Sequence, residues 1–274
     1  MAPSGDVDSV IITAMLTLST SIVRLPSGLG ICYLAGTPEE SMTASRPRKR
    51  TVAKRPGVFH HGDLRWALLR AASLLLEREG TAGVGLRATA RLAGVSQTAP
   101  YRHFPDRESI LAALAEDGLA TLGDRMAAAA RQARDPAAAL TAIAETYVAL
   151  AAERPHLFRL LFGPEVADKA RHPAVREAGL RAFGVLIEAI STAQRAGVVR
   201  GGEPAELALG HWAVVHGIAL LMLNGLVAER AAAAGGPVAL GRLVAGQLWL
   251  GLAPLSARCE PSTPRGSGRA PRRA

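Results

Sequence analysis

The tightest constraint on this chain lies between Asp63 and Phe104, where three short apolar periods follow one another with almost no linker. Leu64, Leu68, Ala71 and Leu75 recur at spacings of 4, 3 and 4, one face of a helix with 3.6 residues per turn. Asp63 is placed to cap its start and Gly80 to stop it. The segment LRATARLA (86–93) reads as a second helix with Leu86 and Ala90 on one face, ending at Gly94. Ser96 then opens a third, its hydroxyl placed to accept the amide proton of residue 98 or 99. Two short helices joined at Gly94 and Val95 and braced by a longer one form a helix-turn-helix. Ala90 is small enough for close approach, and Gly94 supplies a backbone conformation that side chains disfavour.

The third segment, within GVSQTAPYRHFPDRE (94–108), carries chemistry that a core helix would not need. Its first residues, Gln97, Thr98 and Ala99, can enter a major groove. Glutamine can make a two-point contact to adenine, and threonine or alanine can touch a thymine methyl. Tyr101 and His103 lie past that turn, where a hydroxyl or an imidazole can reach a phosphate. Phe104 is expected to pack inward. Arg107 opens the next helix, where a cation is unfavourable for the helix alone, and a nearby DNA phosphate would account for it. Contacts of that kind set register, whereas base contacts read sequence.

Charge supports an anionic partner. The formal net charge is +9, and it is clustered. Residues 42–110 hold 13 Lys and Arg against 5 Asp and Glu, whereas residues 111–254 hold 13 of each. Hydrophobic content is 49% with only 4% aromatic, so the core is built from Ala, Leu and Val. That composition predicts an all-α protein. After Asp106, placed as a cap, a long helix runs to about Arg134. Further helices are expected at 136–153, 155–162, 172–196, 204–229 and 237–252, separated by proline and glycine.

These features divide the chain into four parts. Residues 1–56 read as a disordered or mis-started extension ending in a basic arm (46–55). Residues 57–105 form the helix-turn-helix domain, residues 106–253 a helical regulatory and dimerisation domain, and residues 254–274 a disordered basic tail. The apolar run 10–23 is short of the roughly 20 residues that span a bilayer and lacks a basic lead-in, so neither a membrane partner nor a signal peptide is expected. Cys32 and Cys259 make no disulfide or zinc framework, which points to a reducing cytoplasm.

The stretch from FHHGDLRWALLRAASLLLEREG through LRATARLAGVSQTAPYRHFPDRESIL resembles bacterial TetR-type transcriptional regulators over about fifty residues. The resemblance implies that Arg87 and Gln97 occupy positions that often contact bases. It places Thr98, Ala99, Tyr101, His103 and Arg107 at positions contacting bases or the DNA backbone, with Ser96 at the head of the same element. Two positions depart from the family pattern: Arg107, where members commonly have Lys, and Gly85, where they often have Ser or Thr.

HWAVVHGIALLMLNGL (211–226) resembles the Trp-His-Gly signature of one TetR subgroup, carried by Trp212, His216 and Gly217. This implies a C-terminal domain that dimerises through its last two long helices and can hold a small molecule. Tyr147, Phe158, Phe162, Phe183, Trp212, His216 and Met222 are the large or polar residues available to line such a cavity. From 207 to 252 the charged residues are Glu229, Arg230 and Arg242, a pattern for a buried or partner-facing surface. The expected protein is therefore a homodimeric regulator of a palindromic double-stranded DNA operator, a repressor released by a small ligand.

Other readings are weaker. GVGLRA (83–88) matches a loose dinucleotide pattern but follows a helix rather than a strand. His60 with His61 lack a third ligand at useful spacing, and His211 and His216, five apart, fall on different sides of a helix, so neither a metal nor another cofactor is expected. No enzyme motif is present, and the alternative is a non-specific basic nucleic-acid-binding protein.

Overall fold

Proline and glycine set the helix boundaries of the protein, described here by a computed structural model covering residues 61–166 and 171–252. The expectations for the extension 1–56, the tail 254–274 and both cysteines lie outside the described residues. Among the described residues every regular element is helical. The elements are α1 (His61–Gly83), α2 (Leu86–Ala93), a 3-10 turn (Ala99–Arg102), α3 (Arg107–Gln132), α4 (Pro136–Glu153) and α5 (Pro155–Phe162). They continue with a second 3-10 turn (Pro164–Val166), α6 (Pro173–Arg195), α7 (Pro204–Leu223), α8 (Ala228–Ala234) and α9 (Pro237–Leu252). Helices α4, α5, α6, α7 and α9 each begin on proline, whose fixed φ suits the first helical position and whose missing N–H would be unpaired there.

Two acidic caps fix the entry to the long helices. Asp106 accepts from the Ser109 amide at 2.8 Å while the Asp106 amide donates to Ser109 Oγ, a reciprocal capping box at the start of α3. The Ser109 N–H holds the Asp106 carboxyl below the usual carboxylate range. Asp135 caps α4 with a single bond, accepting from the Ala138 amide at 2.7 Å.

Most boundaries match the sequence reading, including α2, α4 and α5. Two expectations are corrected. The stretch 204–229 is not one helix, because α7 ends at Leu223 and Gly225 adopts φ +73°. That left-handed turn, which glycine tolerates best, starts the separate short α8. The third helix of the helix-turn-helix is a 3-10 turn, and Ser96 does not cap it through its hydroxyl. Ser96 Oγ lies 3.3 Å from Thr98 Oγ1, and it is the Ser96 carbonyl that accepts from the Ala99 amide.

The core is continuous from the N-terminal helices into the C-terminal bundle. Leu68, Leu76, Val84, Phe104 and Ile110 are buried at one end, and Tyr147, Phe158, Ile190 and Ala208 at the other. Helix α3 runs through both, packing on α1 near its start and on α4 and α6 further along. Two of its glycines allow this: a Cβ on Gly118 would meet Leu161 and Leu157, and one on Gly123 would sit 3.2 Å from the Ala182 backbone.

Candidate nucleic-acid interface and ligand cavity

The candidate DNA-reading element is built on a buried anchor with exposed tips. Phe104 is 2% exposed, and the Arg65 guanidinium lies over its ring at 5.5 Å. Pro100 is also buried. Arg87, Ser96, Gln97, Thr98 and Tyr101 are exposed, and Ala99 is half-buried. Gly94 takes φ +72°, and its N–H and that of Val95 close the end of α2 on the Arg91 and Ala90 carbonyls. Pro100 cannot donate into a helix, and the Phe104 and His103 amides both fold back onto its carbonyl. The fingertip residues thus precede a rigid, tethered turn.

Two members of the expected set sit differently from the sequence reading. Arg107 already has partners inside the protein: its Nε donates to the Val84 carbonyl at 2.9 Å, and its Nη2 donates to the Thr81 carbonyl. These carbonyls, in the last turn of α1 and just past it, account for a cation in the first turn of α3 without a phosphate. His103 is half-buried, and its Nε2 is enclosed with no hydrogen-bond partner among the described residues. That ring nitrogen does not face outward as a phosphate contact would require.

The same region is tied to the C-terminal bundle. Arg154, between α4 and α5, donates to Glu77 at 2.8 Å and to Ser73 at 2.9 Å on α1. Thr81 donates to Glu165 at 2.7 Å. Glu108, in the first turn of α3, meets His172 at 2.8 Å and Arg171 at 3.1 Å at the start of α6.

A cavity of about 40 Å³ lies between α3, α4, α5, α6 and α7. By roughly 10–15 Å³ for each water, it has room for a few water molecules. Leu119, Leu122 and Met126 line it from α3, and Ile143, Ala144 and Tyr147 from α4. Phe162 comes from α5, Gly179, Ala182, Phe183 and Leu186 from α6, and His211, Trp212 and Val215 from α7. Of the seven residues expected at a ligand site, Tyr147, Phe162, Phe183 and Trp212 meet here. Phe158, His216 and Met222 do not line this cavity: Phe158 and His216 stand behind Tyr147, and Met222 packs on the core near the end of α7.

Behind the wall, three polar groups satisfy one another. Trp212 Nε1 donates to the Tyr147 hydroxyl at 3.0 Å, and that hydroxyl lies 2.8 Å from His216 Nδ1. Tyr147 thus accepts from Trp212, and the imidazole tautomer sets the direction of its hydrogen bond with Nδ1. Burial pulls His216 down to about 4 and pushes Tyr147 up, so both are neutral near pH 7. The His216 ring stacks on Phe158, with centroids 5.7 Å apart.

His211 was missed by the sequence reading. It is 4% exposed, burial pulls it down to about 4, and its Nε2 has no hydrogen-bond partner among the described residues. The signal was available in the spacing of Ala208, His211, Trp212, Val215 and Ala219, the buried face of α7. No group of three or more metal-binding side chains occurs among the described residues.

Comparison with known proteins places this architecture. Residues 68–114 match the family model for bacterial regulatory proteins of the tetR family. Residues 140–235 match that for the tetracyclin repressor-like C-terminal domain. Together the two matches cover more than half of the chain. The chain belongs to the TetR family. It is a DNA-binding transcriptional regulator by its two family matches.

Among solved structures, a Rhodococcus sp. RHA1 protein of unknown function is 35% identical, with a TM-score of 0.63 over 73% of this chain and all of that one. A TetR family transcription regulator from Marinobacter aquaeolei VT8 shares the fold at 20% identity and a TM-score of 0.53, covering 69% of this chain and 95% of that one. The transcriptional regulator FadR from Bacillus subtilis, solved in complex with stearoyl-CoA, shares it at 16% identity and a TM-score of 0.57, covering 69% of this chain and 99% of that one. No curated protein matches the chain. Helix α7 is the one described helix of this TetR-family protein long and apolar enough to cross a bilayer, yet a third of it is buried inside the bundle.

Proposed function

We propose that this TetR-family regulator acts in the cytoplasm as a homodimeric repressor that leaves a palindromic operator when a small molecule occupies the α3–α7 cavity. In this reading residues 57–105 bind DNA and residues 106–253 sense the ligand and dimerise. The observation that carries it is the course of α3. Leu119, Leu122 and Met126 on this helix line the cavity, while Arg107 at its start holds the end of α1. One helix thus touches both the guest and the DNA-binding end, and a guest that favours one position of α3 shifts the population between two spacings of the recognition elements.

Within the DNA-binding part, Gln97, Thr98 and Ala99 read bases, with Arg87 beside them. Tyr101 and Ser96 contact the backbone. Arg107 holds the α1–α3 corner as its first role, and His103 supports the turn.

Dimerisation is supported by an uncovered apolar face. Val214, Leu220 and Leu221 on α7 and Val238 and Leu243 on α9 are exposed. Gly210, Gly217 and Gly246 have open space where a side chain would stand, so a partner helix can approach closely. A patch of this kind marks a protein interface, and two copies give the pair of recognition elements that a two-fold operator needs.

The test is a gel-shift titration on DNA from upstream of the protein's own coding sequence, with random DNA as competitor at two salt concentrations. A shift that survives excess competitor is expected. A shift on every DNA that vanishes with competitor and salt supports a non-specific basic binder instead.

A further inference from the structure

The lining of the cavity also constrains the chemistry of its guest, an inference that rests on the ligand-responsive function proposed above and deepens it. The polar atoms there are few. The Tyr147 hydroxyl is taken, accepting from Trp212 and facing His216 Nδ1. His211 is different: it is a wall residue of the cavity, and its Nε2 is enclosed with no hydrogen-bond partner among the described residues. Buried polar atoms are almost always paired in native proteins, and an exception asks for a missing partner.

Charge narrows the class. Among the described residues no Lys, Arg, Asp or Glu lines the cavity. Burial keeps His211 and Tyr147 neutral near pH 7. An ionised guest would lose its hydration and find no counter-charge. The remaining walls are aliphatic groups and the rings of Tyr147, Phe162, Phe183 and Trp212, which suit an apolar or aromatic body.

Size links occupancy to α3. The space is about 40 Å³, whereas an engineered apolar cavity that holds benzene measures about 150 Å³. A ring-sized guest must therefore displace wall side chains, among them Met126 and Leu119 of α3. We propose that the cavity takes an uncharged, largely apolar small molecule with one hydrogen-bonding group, and that His211 Nε2 is the atom that recognises that group.

The test uses the full-length protein and four probes of similar shape: phenol, toluene, benzoate and benzylamine, the last two ionised at pH 7.5. Binding is measured by calorimetry on the parent and on His211→Leu, His211→Gln and the cavity-filling Ala144→Leu. Phenol is expected to bind at least about fivefold more tightly than toluene, the worth of one net hydrogen bond, with the two ions bound more weakly than either. His211→Leu should erase the preference for phenol, and His211→Gln should restore part of it. Without any probe, His211→Leu should melt a few degrees above the parent, because an unpaired buried atom has been removed. Ala144→Leu should abolish binding.

Equal binding of phenol and toluene, or an unchanged preference in His211→Leu, overturns the role of His211 and leaves the cavity as the ligand site. Tightest binding of an ion overturns the uncharged class. Binding that survives Ala144→Leu, or no probe bound at all, overturns the proposal together with the assignment of this cavity as the sensor. A His211→Leu variant that melts well below the parent would show that the imidazole is a structural group.

Discussion

At the scale of single residues, the hydrogen-bonded row of Trp212, Tyr147 and His216 holds α4 to α7, and its removal is expected to be expensive. Tyr147→Phe leaves the buried Trp212 N–H and His216 Nδ1 without their partner. An unpaired buried group destabilises by about 1–3 kcal/mol, so the midpoint of urea unfolding should fall accordingly. The two buried histidines also make stability depend on pH. Both are pulled down to about 4 in the fold, against about 6.5 in an unfolded chain. Between those values the unfolded chain binds more protons, so stability is complete above about pH 6.5 and falls as pH drops towards 4. Melting temperatures at pH 7.5 and 4.5 should show this loss, and His211→Leu should reduce it. Sequence reasoning reached Tyr147, Phe162, Phe183 and Trp212 because aromatics are scarce in this chain. It passed over His211 because that residue was weighed only as a metal partner for His216, not as part of the face of α7 that carries Trp212 and Val215. The internal partners of Arg107 were not foreseen: they are carbonyls 23 and 26 residues earlier, which no local pattern reveals.

At the scale of elements, close helix contacts govern what α3 tolerates. A Cβ at Gly123 would lie 3.2 Å from the Cα of Ala182, whereas one at Gly118 would meet only the tips of Leu161 and Leu157. Backbone yields less readily than a leucine methyl. Gly123→Ala should therefore destabilise by roughly 1–2 kcal/mol as α6 is pushed from α3, and Gly118→Ala should change stability less. Denaturant unfolding of the two variants decides between them. Helix starts were legible because proline marks five of them. The end of α7 was not, because Asn224 and Gly225 sit inside a long apolar run that periodicity alone carries onward. The recognition element was legible as a position and misread as a regular helix, since Pro100 removes the donor that a helical turn there would use.

At the scale of the whole molecule, the uneven charge distribution pointed to the DNA-binding half, and the charge-poor stretch 207–252 is the basis for expecting an association half. Which residues of that stretch face outward depends on how α7 and α9 pack together, and only the fold supplies this. The double variant Val214→Glu with Leu221→Glu puts charge on the exposed apolar face while sparing the buried side of α7. Light scattering should find the parent as a dimer and the variant as a monomer, with helix content unchanged; a variant that stays dimeric would move the interface elsewhere. Selection of binding sites from a pool of random duplex DNA tests most directly whether the protein is a sequence-reading dimer whose Gln97 discriminates bases. Enrichment of an inverted repeat is expected, with half-sites about one helical turn apart. Gln97→Ala should relax particular positions in each half-site, by about 1–3 kcal/mol. A pool that shows no enriched sequence, or the same sequence for parent and variant, would contradict it.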